Sequence, residues 1–201
     1  MKITAIKQQV KRRDRYSIFV DGKYAFSLSE SGLLEQKIAT GQEMDARSLN
    51  ELKKASGTDK AYGNALRYVA MRPRSMWELQ TYLRRKEIEE PVAEQITERL
   101  QRNGLVDDTA FARSWVLNRR LLKNTSKRRI QMELKQKQVP EHIITLVLSE
   151  DETNERDSLR QLIAKKQPRY PDRNKLLQYL ARQGFSYDDI TATLDEMTQQ
   201  D

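Results

Sequence analysis

A chain of 201 residues has room for one or two ordinary domains or a short array of repeats, yet 37% of it is apolar and 33% charged, against the usual ~45–50% and ~25%. That is too lean to fill a dense, enzyme-like globule and predicts an elongated molecule, while few Gly (7) and Pro (5) among many Glu, Lys, Arg, Gln and Leu argue against disorder and for helices. With no cysteine there are no disulfides, thiolate nucleophiles or Cys-based metal sites, and a net charge of +8 points to a polyanionic partner.

In chain order, two apolar-rich runs at 16–20 and 23–28 flank Asp21-Gly22, a β-hairpin signal. A three-residue loop, Val20-Asp21-Gly22, sets Ile18 opposite Tyr24 and Tyr16 opposite Phe26. It sorts the apolar side chains better than a two-residue loop, so the pattern favours it. Residues 1–10 can supply a third strand before the basic turn at 11–15. The hairpin aromatics read as the buried face of a small sheet rather than as a platform for nucleobases. Helices are expected over 30–39 and 46–56, broken at Thr40-Gly41 and Ser56-Gly57, so that 1–58 forms an N-terminal hairpin and short-helix module.

From residue 60 the chain repeats itself. Leu79, Tyr82-Leu83, Lys86 and Ile88 recur as Ile130, Glu133-Leu134, Lys137 and Val139, then as Leu176, Tyr179-Leu180, Gln183 and Phe185. Each of these middle helices is preceded by an apolar stripe (Leu66, Val69, Ala70; Phe111, Trp115, Val116; Leu159, Leu162, Ile163) and followed by another (Val92, Ile96, Leu100; Ile144, Val147, Leu148; Ile190, Leu194, Met197). The expectation is three three-helix repeats, 59–108, 109–152 and 153–201, sharing apolar faces along a curved rod. Ser75 and Glu78 form a capping box, Gly104 ends a helix, and Asp107 or Asp108 caps the next.

The charge is local. Residues 111–140 hold nine basic side chains against the single acid Glu133, so this segment carries +8 and the rest of the chain sums to zero. A solvated helix face normally alternates in sign, which favours polyanion binding here. The candidate contact is made by Lys127, Arg128 and Arg129 at the start of the central helix, Arg119, Arg120 and Lys123 before it, and Lys135 and Lys137 within it. Arg84, Arg85 and Lys86 are a secondary candidate. The acidic run Glu150-Asp151-Glu152 with Glu155 reads as a linker or helix N-terminus.

Catalytic signatures are missing. There is no phosphate-cradling Gly-rich loop, no HExxH and no GxSxG. Asp107-Asp108 and Asp188-Asp189 suit caps better than a metal site, because successive side chains diverge. The one histidine, His142, falls in a first helical turn with no nucleophile indicated beside it. An enzyme is not expected, nor a cofactor. No apolar stretch long enough for a membrane span and no secretory leader is recognised, so a cytosolic monomer is expected.

One stretch goes beyond composition. Glu78-Leu79-x-x-Tyr82-Leu83-x-x-Lys86, then Gly104-Leu105-x-Asp107-Asp108-x-x-Phe111-Ala112-x-x-Trp115-Val116-x-x-Arg119, then Ile130-x-x-Glu133-Leu134-x-x-Lys137-x-Val139, resembles the bacterial RecX family. The resemblance implies tandem three-helix repeats and a cytoplasmic regulator of the RecA recombinase, acting in homologous recombination, DNA repair and the SOS response. It would bind in the groove of the RecA–single-stranded DNA filament and limit its activity, with non-specific double-stranded DNA as a further partner. Glu87 and Gln138 stand where the family often has Gly, and Asn124-Thr125 replaces another, so those helix ends must close without it; Gly184 keeps it. The alternatives are a helical DNA-binding transcription regulator and a protein–protein adaptor.

Overall fold

The computed structural model describes residues 1–198. Three strands, β1 (Ile3–Gln8), β2 (Arg15–Val20) and β3 (Lys23–Ser29), form an antiparallel sheet in that order. Alternation puts Ile3, Ile18, Val20, Phe26 and Leu28 on its buried face, where Leu33, Met44, Leu49 and Leu52 close over them.

The hairpin loop differs from the expected one. Asp21 and Gly22 both have positive φ, 46° and 78°, as a type I′ turn requires, and Val20 pairs directly with Lys23. The extra residue lies further along β3: the register shifts after the Phe19–Tyr24 pair, so Ala25 bulges and Ile18 faces Phe26. A two-residue turn matches the twist of the strands, and the bulge then restores the apolar face that the short loop alone would scramble.

Helix α1 (Glu30–Glu35) is shorter than expected and is capped by the Ser29 hydroxyl, which accepts from the Gly32 N–H. Helix α2 (Ala46–Ala70) runs unbroken through Ser56-Gly57, where a break is expected from sequence. An interior Gly costs a helix about 1 kcal/mol, and tertiary contact overrides it. Ser56 Oγ donates to the Ser27 carbonyl of β3 at 2.6 Å, and Ala61, Ala65 and Val69 are buried further along. Beneath this joint Arg15 forms a 2.9 Å ion pair with Asp59, both largely buried.

Three helix triplets follow. The first combines the second half of α2 with α3 (Met76–Arg85) and α4 (Glu90–Arg102), burying Leu79, Leu83, Ile96 and Leu100. The second is α5 (Asp108–Lys123), α6 (Lys127–Gln136) and α7 (Glu141–Ser149) around Phe111, Val116, Ile130, Leu134, Ile144 and Val147. The third is α8 (Glu155–Lys166), α9 (Arg173–Arg182) and α10 (Tyr187–Thr198) around Leu159, Ile163, Leu176, Leu180, Phe185 and Ile190. Packing divides the chain into two compact units, one of Met1–Arg72 with Leu79–Asn103, the other of Pro73–Glu78 with the residues from Gly104 onward.

The middle helices end alike. Glu87, Gln138 and Gly184 take positive φ of 54°, 54° and 92°, and the N–H of the following residue returns to a carbonyl five positions back, Ile88 to Leu83, Val139 to Leu134 and Phe185 to Leu180. The left-handed turn is thus built even without Gly, against a strain of about 1–2 kcal/mol. Gln138→Gly is therefore expected to stabilise the protein by about 0.5–1 kcal/mol after the extra unfolded-state freedom of Gly is subtracted, read as a raised thermal midpoint.

Within the second compact unit two serine caps make the same pair of contacts. Ser75 Oγ, at the start of α3, donates to the Lys137 carbonyl at 3.0 Å, and Ser126 Oγ, at the start of α6, donates to the Gln183 carbonyl at 2.8 Å. Each hydroxyl also accepts from its own helix, from the N–H of Glu78 and of Arg129 respectively. One serine thus caps its own helix and fastens it to the end of the next middle helix.

Candidate nucleic-acid interface

The basic segment is the turn between α5 and α6 with the helices on either side. Asn124 closes α5 in a left-handed conformation, φ 49°, which Asn tolerates better than most residues. Thr125 is buried, and Ser126 caps α6.

Arg120 holds this turn from below. It is 8% exposed, its Nε donates to Asp151 at 2.8 Å and its Nη1 to the Thr125 carbonyl at 2.8 Å, and Nη1 lies 2.6 Å from Glu155. Glu155 also accepts from the Lys127 N–H at 2.8 Å, placing a carboxylate at the N-terminus of α6. Burial raises the Asp151 pKa, but hydrogen bonds from Thr153 and Arg120 and the Arg120 charge outweigh it and leave the carboxyl below its ordinary value.

A second cluster surrounds Trp115. Its indole N–H donates to Glu133 at 2.9 Å, and the Arg119 guanidinium lies over its ring at 4.3 Å while pairing with Glu133 at 2.5 Å. Arg129 reaches Glu133 at 3.4 Å, and Lys137 pairs with Glu78 at 2.7 Å. Burial raises the Glu133 pKa too, and the Arg119 and Trp115 hydrogen bonds more than reverse it.

The structure therefore separates the candidate cations. Arg119, Arg120, Arg129 and Lys137 are committed to internal ion pairs, and Lys135 pairs with Glu141 at 3.1 Å. Lys123, Lys127 and Arg128 are exposed, and their side chains make no ion pair among the described residues. Arg84, Arg85 and Lys86 are exposed at the end of α3, favourably for its dipole, and belong to the other compact unit.

The acids that neutralise the segment come mostly from outside it: Arg113 pairs with Glu150 at 2.9 Å, Arg120 with Asp151 and Glu155. The acidic run, read as a linker or helix N-terminus, does lead into α8 at Glu155 and is also their counter-charge. Its position directly after a basic run was the available signal. Sequence reasoning also passed over Leu117, Leu121 and Leu122, exposed on the outer side of α5; they lie off the stripe of Phe111, Ala112 and Val116 that the helix buries.

Asp107 caps α5 and Asp108 the start of α3, whereas at α10 it is the Ser186 hydroxyl that accepts, from the Asp189 N–H. Asp107 accepts from the N–H groups of Thr109 and Ala110, and Asp108 accepts from that of Met76 at 2.8 Å, with burial raising its pKa. No group of residues suited to hold a metal ion occurs among the described residues.

Four family models match in sequence: the regulatory protein RecX N-terminal domain over residues 1–45, and the first, second and third RecX three-helix domains over 61–100, 107–148 and 154–194. The chain belongs to the RecX family. A crystal structure of a regulatory protein RecX superposes with a TM-score of 0.74 at 30% identity, covering 96% of this chain and 98% of that one. The RecX of Lactobacillus johnsonii is 37% identical over 142 residues, 71% of this chain and 52% of that protein. The RecX of Bacillus subtilis is 29% identical over 202 residues, 97% of this chain and 76% of that one. The chain spans about half the length of several curated RecX relatives it matches. No helix among the described residues is long and apolar enough to cross a membrane.

Proposed function

We propose that this RecX protein is a cytoplasmic regulator that binds the RecA–single-stranded DNA filament in its groove and restrains recombinase activity without catalysis of its own. Membership of the RecX family carries the reading, through the role its resemblance implies. The α5–α6 turn supports it. Lys123, Lys127 and Arg128 present uncompensated charge to phosphates, and Leu117, Leu121 and Leu122 beside them offer apolar contact to a protein surface. Arg84, Arg85 and Lys86 are a secondary contact. Bridging neighbouring RecA subunits would alter filament disassembly or block end addition.

Added below one molecule per recombinase to preformed filaments, the protein is expected to lower RecA ATP hydrolysis. No effect there, with tight binding to one duplex sequence, would identify a transcription regulator instead. Reversing Lys123, Lys127 and Arg128 to Glu is expected to weaken filament binding and flatten its log–log salt dependence by about 2, roughly 0.7 for each lost single-strand phosphate contact. Reversing Lys135, already paired with Glu141, is expected to do less. Equal effects from both, or none from the triple variant, would remove the turn from the contact.

A further inference from the structure

The N-terminal module carries a groove of about 490 Å³ between the sheet and α2, with Arg12, Arg15, Tyr24, Lys53, Gly57 and Lys60 in its lining and no carboxylate there. Of its four cations Arg15 is paired with Asp59 at 2.9 Å and Arg12, more loosely, with the exposed Asp14. The Arg12 Nη2 nitrogen is buried without a hydrogen-bond partner; Asp14 stands 3.8 Å away, beyond hydrogen-bonding reach. Lys53 and Lys60 are exposed and make no ion pair among the described residues.

Spacing explains how the helix contributes. Lys53, Gly57 and Lys60 stand at i, i+4 and i+7 on α2, one above another on a single face. A Cβ at Gly57 would meet nothing within 4 Å. Packing therefore does not require glycine there, although glycine weakens a helix interior, and its missing side chain leaves the wall between the two lysines open. Tyr24 lines the same groove, is 59% exposed and meets Phe19 edge-on at 6.2 Å, so ring surface remains in water.

We propose that this groove is a binding site for the phosphodiester backbone of single-stranded nucleic acid, with Arg12, Lys53 and Lys60 on the phosphates and the Tyr24 ring under a base. Cations beside an exposed aromatic ring are the pairing that single strands use, charge tracking the backbone and the π-face accepting any base. An acidic peptide would use the cations and leave Tyr24 idle. The site lies apart in sequence from the α5–α6 turn and goes beyond the filament reading.

The test is fluorescence anisotropy of labelled oligothymidylate with the full chain, repeated in the Lys123, Lys127 and Arg128 reversal background so that remaining binding reports on the groove. Gly57→Glu puts a carboxylate between the lysines while improving helix propensity, so its thermal midpoint should hold or rise while binding falls about tenfold or more. Tyr24→Ala is expected to weaken binding about 5- to 150-fold, with Tyr24→Phe close to the parent. Parent-like binding by Gly57→Glu and by Arg12→Ala/Lys60→Ala would overturn the site. Inorganic phosphate or thymidine monophosphate competing as well as the oligonucleotide would overturn the strand reading in favour of a small anion, and polyglutamate competition indifferent to Tyr24→Ala would assign the groove to an acidic polypeptide. RecA ATP hydrolysis, followed in parallel, can fail or hold independently of each result.

Discussion

Replacing Arg120 by methionine is expected to destabilise the protein by about 3–5 kcal/mol, the cost of breaking a buried ion pair from one side. Asp151 has a side chain only 5% exposed and would keep a charge without its partner, while the Thr125 carbonyl would lose its donor. In a chain of this size the loss corresponds to a fall of about 10 °C in the thermal midpoint. Asp151→Leu added to Arg120→Met should recover much of it, because the stranded charge is gone and Glu155 is open enough to be solvated. Acid should act in the same direction. The Asp151 pKa is lower folded than unfolded, so the unfolded chain binds more protons, and the stabilisation present at neutral pH is lost as pH falls through and below about 4. Arg120→Met should flatten that part of the stability–pH curve; an unchanged curve would mean that Arg120 does not set the Asp151 titration.

Gly184→Ala is expected to cost about 2–4 kcal/mol, combining left-handed strain of about 1–2 with a disturbed cap worth about 1–2. Its φ is 92°, and a Cβ there would press on Ser126 Oγ and come within 3.1 Å of the Arg129 nitrogen. Gly104→Ala is the control, since φ is 68° but nothing lies within 4 Å. Its loss measures backbone strain alone. The excess at Gly184, read by thermal unfolding and by faster amide exchange at Arg129 and Ile130, measures the joint onto α6. Equal losses would mean that α6 does not lean on the third triplet.

The middle helices were legible in sequence because burial repeats with helical period: Leu79, Ile130 and Leu176, and Leu83, Leu134 and Leu180, are all buried as the alignment expects. What escaped depends on partners distant in the chain. No local signal carries α2 through Gly57; a hydroxyl about thirty residues from its acceptor does. The loop at Asp21-Gly22 was misread because apolar matching was applied to the turn alone, whereas the bulge at Ala25 is set by the whole ladder. The candidate interface suffered likewise. Summing charge over 111–140 found the basic region but could not see Arg113, Arg120 and Lys137 answered from Glu150, Asp151 and Glu78, 37, 31 and 59 residues away.

The two serine contacts share one polarity. Ser75 and Ser126 each donate a hydrogen bond forward, to the carbonyl that ends the next middle helix, while accepting one from the N–H of Glu78 and of Arg129. Asp172 holds the corresponding position before α9 and caps it by accepting from Asn174 and Lys175. An ionised carboxylate has no hydrogen to donate. The third triplet is thus chemically fitted to receive this joint and not to extend it, so inserting a copy of the second triplet after the third should fail to dock unless Asp172 is made a serine.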